Sequence, residues 1–365
     1  MPKVKEVVEA LESRAPSGFQ ESYDNSGLHT GSPDQEVTGI LVCLDVVPEV
    51  LDEALRSGCN LVVSHHPPFF SGMKNFTGSA LAVRILRQAI RQDLALLSVH
   101  TNLDSVPDGV SGRLAGLMGL TRTRVLVPRR DDLLKLVCFV PTAHLEALSN
   151  AVFAAGAGHI GQYDGCGFST NGTGTFRAGE GANPFVGKVG ALHREEEARF
   201  ETIVPKPLLG RVISAMLAAH PYEEVAYDLI PLLNVNAAAG LGAVGDLPGP
   251  AEEGAFLARV KSLLGAGVLR HSGLTGRPIR RVAVCGGSGS EFVRAAAQAG
   301  ADVYLTADIK YHTWFEVPEG LLVVDVGHYE SEWVAMNILY DHLIEKFPTF
   351  AVRLTEVNTN PIKYL

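Results

Sequence analysis

The chain is predicted to be an α/β protein, with one outer domain interrupted by an inserted α+β module. Three observations lead there. Short apolar runs alternate with amphipathic helical stretches at both ends of the chain, and the alternation lapses over residues 126–245. Clusters of His and carboxylate residues follow several of the apolar runs. Alternating strand and helix signals imply βαβ units with a largely parallel sheet and helices on its faces.

The elements follow in order. TGILVCLD (38–45) has the apolar, β-branched content of a buried strand, and PEVLDEALRSG (48–58) is a helix opened by Pro48 and closed by Gly58. NLVVSHH (60–66) is a second strand, SALAVRILRQAIRQD (79–93) a helix, and LALLSVH (94–100) a third strand. The pattern changes near residue 125, where VLVPRRDD brings a proline and a run of charges. Beyond it, LLKLVCFVP reads as strand and TAHLEALSNAVFAAGAG as helix. The Gly-rich stretch CGFSTNGTGTFRAGEGANPFVGKVG reads as short strands and turns. FETIVP, PLLGRVISAMLAAH and VAYDLIPL complete a second β-α-β unit, so residues 126–245 are expected to form a ferredoxin-like insert. NAAAGLGAVGDLPGPAEEG (235–254) is rich in Gly, Ala and Pro and reads as the return linker. The βαβ rhythm then resumes in IRRVAVCGG, SEFVRAAAQAG, ADVYLTAD, LLVVDVG and ESEWVAMNILYDHLIEKF. The outer domain is therefore expected to comprise residues 1–125 and 246–365.

Composition narrows the function. With 365 residues the chain exceeds the usual size of one hydrophobic core. A net charge of −9 offers no basic face for nucleic acid. The five cysteines are scattered without a CxxC pair, which fits reduced thiols in the cytoplasm and gives no zinc-finger spacing. The N-terminal stretch carries charges throughout, unlike a signal peptide, and no apolar run reaches the length of a membrane span. A soluble cytoplasmic protein is expected.

The chemistry lies at the strand ends. In open α/β sheets, ligands bind beyond the carboxyl ends of the strands. His65 and His66 end a strand, and Pro67 and Pro68 stop it at once. Adjacent strand residues face opposite ways, so each imidazole can aim at a different ion; equally, such a pair can be inert loop polarity. Asp104, in HTNLD, sits just past another strand as either a carboxylate ligand or a turn cap, with His100 read as a group that orients a ligand. His328 and Glu332 are spaced i, i+4 and share a helix face, as metal ligands or as a surface pair. The recurrence of such clusters at equivalent strand ends favours the metal reading: imidazoles with carboxylates suit two divalent ions, Zn, Mn, Fe, Co or Ni. In TADIKYHTW, Lys310 is a candidate for holding a substrate anion and His312 for donating a proton; the alternative is a solvated helix start. GGSGSE (286–291) lacks the spacing of a phosphate loop. HPYEE (220–224) reads as a helix-to-strand connection rather than a further ligand set.

With YDNSGL, SHHPPFF, HTNLD, TADIKYH and DVGHYESE in this order, the chain resembles the NGG-interacting-factor-like family, also called GTP cyclohydrolase I type 2 homologues. The insert, with GHIGQYDGCGF and HPYEEVAYD, resembles the PII/CutA-like module of its longer members. The resemblance implies a toroidal homo-hexamer with dinuclear metal sites. Carried over by position, His66 and Asp104 would hold one metal, His65 and His328 the other, and Glu332 would bridge them. Tyr23 stands where the family commonly has Trp, GVSG (109–112) departs from its Gly-Val-Asn-Asp run, and Pro68-Phe69 from its Leu-Ile. None of these departures removes a ligand. The expected activity is metal-dependent hydrolysis of a nucleotide or phosphorylated small molecule, with metal storage, delivery or regulation as the alternative.

Overall fold

A computed structural model describes residues 1–365. By their contacts these form two compact units, Met1–Pro128 with Ala238–Leu365, and Arg129–Ala237.

Along the first unit run α1 (Val4–Arg14), β1 (Gly27–Thr30), β2 (Ile40–Cys43), α2 (Pro48–Arg56), β3 (Leu61–Ser64), α3 (Leu81–Arg91), β4 (Ala95–Ser98), α4 (Thr101–Asp104), α5 (Val110–Leu117) and β5 (Thr121–Arg129). The second unit contains β6 (Leu133–Pro141), α6 (Leu145–Ala154), β7 (Gly167–Arg177), β8 (Leu192–Pro205), α7 (Leu209–Ala219) and β9 (Tyr227–Pro231). After β10 (Asn236–Ala251) come α8 (Glu253–Leu264), β11 (Arg270–His271), β12 (Ile279–Ser288), α9 (Val293–Gln298), β13 (Val303–Ala307), β14 (Leu322–Asp325), α10 (His328–Glu332), α11 (Val334–Lys346) and β15 (Val352–Leu354).

The first unit holds two sheets, ordered β1-β4-β3-β2-β15 and β11-β14-β13-β12-β10-β5. The centre of each is parallel: β2, β3 and β4 in one, and β12, β13 and β14 in the other. Strands buried on both faces read as continuous apolar runs, and ILVC, LVVS and LVVD do so. One continuous core joins the two sheets: Val42 and Val63 of the first share it with Val284, Leu305 and Val324 of the second. Helices α1, α5, α8 and α11 bury apolar stripes in that core, including Leu11, Leu114, Phe256 and Leu339. On the outer faces, α2 and α3 cover the first sheet and α9 the second. No helix is long and apolar enough to cross a membrane.

The second unit has the element order β-α-β-β-α-β, and its sheet runs β7-β8-β6-β9. Its β6/β8, β6/β9 and β7/β8 pairs are all antiparallel. Leu136, Leu148, Phe200 and Met216 form its core with α6 and α7.

The expected linker at 235–254 is not a linker. Residues 236–251 form β10, paired antiparallel with β12. Its small residues are packing requirements: a Cβ built on Gly240 would lie 2.1 Å from the Val127 carbonyl oxygen. Glycine in a strand interior marks such a close backbone approach, and the same composition imitates a flexible segment in the sequence.

Candidate metal centre

The polar strand ends of the first unit converge. At the end of β3, Ser64 donates its hydroxyl to the His66 carbonyl and so fixes the corner that presents the double histidine. His65 turns inward and is fully buried, while His66 is partly exposed. The one-turn helix α4 after β4 places Asp104 against His65. Helix α10 begins at Gly327, whose φ of 91° lies in the region that glycine tolerates best, and sets His328 and Glu332 on one face.

Each imidazole is held at Nδ1. His65 donates to the Val99 carbonyl at 2.8 Å, and His66 to Asp45, His100 to Asp24 and His328 to Asp308 at 2.7 Å each. A second acceptor of this kind fixes the tautomer and orientation of a metal-binding histidine. The Nε2 atoms of His66 and His328 then both donate to Glu332 Oε2 at 2.8 Å. His65 Nε2 carries a lone pair, and it faces Asp104 Oδ1 at 3.7 Å and Glu332 Oε1 at 4.0 Å. Neither His65 Nε2 nor Asp104 Oδ1 has a hydrogen-bond partner, although both are buried. Buried polar atoms are rarely left so, and facing acceptors call for a cation. One nitrogen from each of His65, His66 and His100 falls within a 4.8 Å group, as do the ligand atoms of His66, His328 and Glu332.

The electrostatics agree with that reading. Burial pushes His65 down to about 3, so its imidazole is neutral. Burial also opposes the charge on His66, but hydrogen bonds to Asp45 and Glu332 outweigh it and hold the group up at about 10. His328 is raised to about 11 in the same way, against burial, by Asp308 and Glu332. Burial and then the Glu332 charge raise Asp104 well above the carboxylate range. Glu332 stays well below it despite burial, because His328 and His66 hydrogen-bond to it. Two imidazolium protons occupy Glu332 Oε2, where a cation can replace them.

The structure thus brings His65, His66, Asp104, His328 and Glu332 together, with Glu332 facing His65 on one side and His66 and His328 on the other. The short approaches are His65 with Asp104 and His66 with His328 through Glu332. The inward and outward aims of adjacent residues at the strand end explain it. His100 offers a nitrogen to the same group and so does more than orient a neighbour. Lys310 and His312 are exposed and do not line the cavity over the centre, so the structure does not bring them to it. From their segment it is Asp308 that reaches the centre, with φ at 56°. A non-glycine residue in the left-handed region is a local strain that surrounding structure must hold. Sequence reasoning passed over Asp24 and Asp45, and it read Asp308 only as a cap in a solvated helix start. Asp24 lies in YDNSGL and Asp45 stands just past Leu44 beyond the end of β2, so the strand-end rule could have marked Asp45. In the second unit, His220 donates to the Phe139 carbonyl and Tyr222 to Glu197, an internal clamp rather than a ligand set.

A cavity of about 610 Å³ opens over the centre, with Asp104, His328 and Glu332 in its lining. Such a volume suits a small-molecule site.

Comparison with known proteins bears on the family and the fold. A Bacillus subtilis protein named GTP cyclohydrolase 1 type 2 homolog is 36% identical over 371 residues, covering 99% of this chain and 98% of its own. One of the same name from Mycobacterium leprae is 39% identical, covering 98% and 94%. The crystal structure of a Bacillus cereus protein related to NIF3 superposes with a TM-score of 0.85 at 37% identity, covering 100% of this chain and 99% of that one. The mixed α/β fold with its several sheets is that of these structures. The family model Duf34/NIF3 (NGG1p interacting factor 3) matches residues 2–361, and the chain belongs to that family.

Proposed function

We propose that the protein is a dinuclear metal-dependent hydrolase acting on a nucleotide or another phosphorylated small molecule. The observation that carries this is the unpartnered pair His65 Nε2 and Asp104 Oδ1, buried and facing Glu332 Oε1. His65, Asp104 and Glu332 Oε1 would hold one divalent ion, with His100 in reach, and His66, His328 and Glu332 Oε2 the other. When bound, such ions supply Lewis acidity and bring the pKa of water toward neutrality. The chain's own part is positioning. Asp24, Asp45, Asp308 and the Val99 carbonyl orient the four imidazoles. Glu332 presents one oxygen to each half of the site, and the cavity walls restrict solvent around the substrate. The name borne by the relatives supports a GTP cyclohydrolase-like reaction, an opening of the purine imidazole ring by water.

The second unit is proposed as a PII/CutA-like, ferredoxin-like module, supported by its β-α-β-β-α-β order. A cytoplasmic homo-hexamer is the proposed assembly, carried by the resemblance alone. The exposure of Lys310 and His312 favours a second reading, metal storage or delivery, since it leaves the centre without its expected acid and anion holder.

A turnover screen of the metal-reconstituted protein against GTP and other phosphorylated nucleosides, followed by mass spectrometry, separates these. Water addition or formate loss, absent in Glu332→Ala, identifies a cyclohydrolase, and phosphate release a phosphohydrolase. Metal uptake with no product from any substrate leaves storage or delivery.

A further inference from the structure

The cavity over the centre carries a specificity that the relatives' name does not. Its lining contains four carboxylates, Asp45, Asp104, Glu291 and Glu332, and neither lysine nor arginine. Its walls are apolar, with Val47, Pro67, Phe70, Leu81, Phe292 and Ile362 among them. Phe70, Leu81 and Ile362 are 53%, 51% and 49% exposed, surface that a ligand ring would cover. Glu291, an exposed lining residue, adds a negative charge that none of the hydrogen bonds or ion pairs described above neutralises.

We infer that the site takes an aromatic ring bearing a single anionic group, such as a phosphomonoester, and discriminates against polyphosphates. This rests on the proposed metal centre and narrows that reading, making a nucleoside monophosphate rather than GTP the favoured nucleotide. The single anion would face the metal ligands on the cavity floor, the one place where bound cations would attract it, and the ring would lie along the walls. Aromatic and aliphatic walls favour a flat apolar partner by removing its surface from water. A triphosphate has charge left over, and beyond the floor it meets Glu291 and no cation. Charge mismatch of that kind selects against a ligand more effectively than missing contacts do. Glu291 is therefore a specificity-determining residue.

The test is equilibrium binding of inorganic phosphate, naphthyl phosphate, GMP and GTP to the full-length, metal-loaded protein, with metal content measured in parallel. Naphthyl phosphate is expected to bind about tenfold more tightly than phosphate, through the walls. GMP is expected to bind more tightly than GTP, and Glu291→Lys to narrow that gap about tenfold by reversing the charge. GTP binding as tightly as GMP overturns the inference, as does naphthyl phosphate binding no better than phosphate, or no binding at all. A protein that takes up no metal overturns the centre and the inference together. Naphthyl phosphate bound but never turned over sustains the inference and removes the phosphohydrolase form of the hydrolase reading, leaving its ring-opening form to the turnover screen.

Discussion

Glu332 carries more of the centre than any other residue, because His66 and His328 both reach its Oε2 while its Oε1 faces His65. Glu332→Ala should abolish metal uptake at both halves, with elemental analysis falling from about two ions per chain to near none. The residues that hold the imidazoles should have a smaller but measurable effect. Asp45→Asn or Asp308→Asn is expected to weaken metal affinity about 10- to 100-fold while far-ultraviolet circular dichroism stays unchanged. Retention of full affinity in both variants would show that the imidazoles need no such support. His29 gives a pH-dependent outcome away from the ligands. Burial lowers it from 6.5 to about 4, and its ring packs edge-on against Phe69 with centroids 5.1 Å apart. The unfolded chain then takes up a proton before the folded one does, so stability falls as pH drops below 6.5. The loss should be about 2 kcal/mol between pH 7 and pH 5, and His29→Gln should remove most of it in urea denaturation at the two pH values.

Among the elements, the glycine pair near the end of β12 has a defined role at the centre. A Cβ on Gly287 would stand 1.9 Å from Glu332 Oε1, and its φ of 61° already disfavours a side chain. Gly287→Ala should therefore displace Glu332, reducing metal content in calorimetric titration more than it reduces thermal stability. Several elements were legible in the sequence because a single local signal defined them. Pro48 does open α2, and the apolar runs before the double histidine, HTNLD and GHYESE are strands ending where the polar residues begin. Those same strand ends marked the candidate ligands that the structure brings together. What escaped depends on contacts distant in sequence. β10 looked like a linker because its small residues are explained only by neighbours such as Val127. Asp308 looked like a cap because its partner His328 lies twenty positions away. Lys310 and His312 had the right chemistry, but the turn that follows Asp308 leaves them in solvent.

For the molecule as a whole, every proposed ligand and every residue that anchors one lies in the first unit. Strands β5 and β10, which lead into and out of the second unit, are neighbours in one sheet. Replacing residues 130–235 by a short Gly-Ser turn should therefore leave metal stoichiometry unchanged in elemental analysis, and loss of both ions would show that the centre depends on the insert. The first sheet sets a different constraint. Its edge is β15, whose Val352 lies beside Ile40 in parallel register. The chain therefore cannot complete the sheet that carries His65 and His66 until β15 has been made. On a translating ribosome the double histidine and Asp104 emerge well before His328, Glu332 and β15. Pairings this remote in sequence form slowly, so the candidate cation site would assemble only once these later elements have been made.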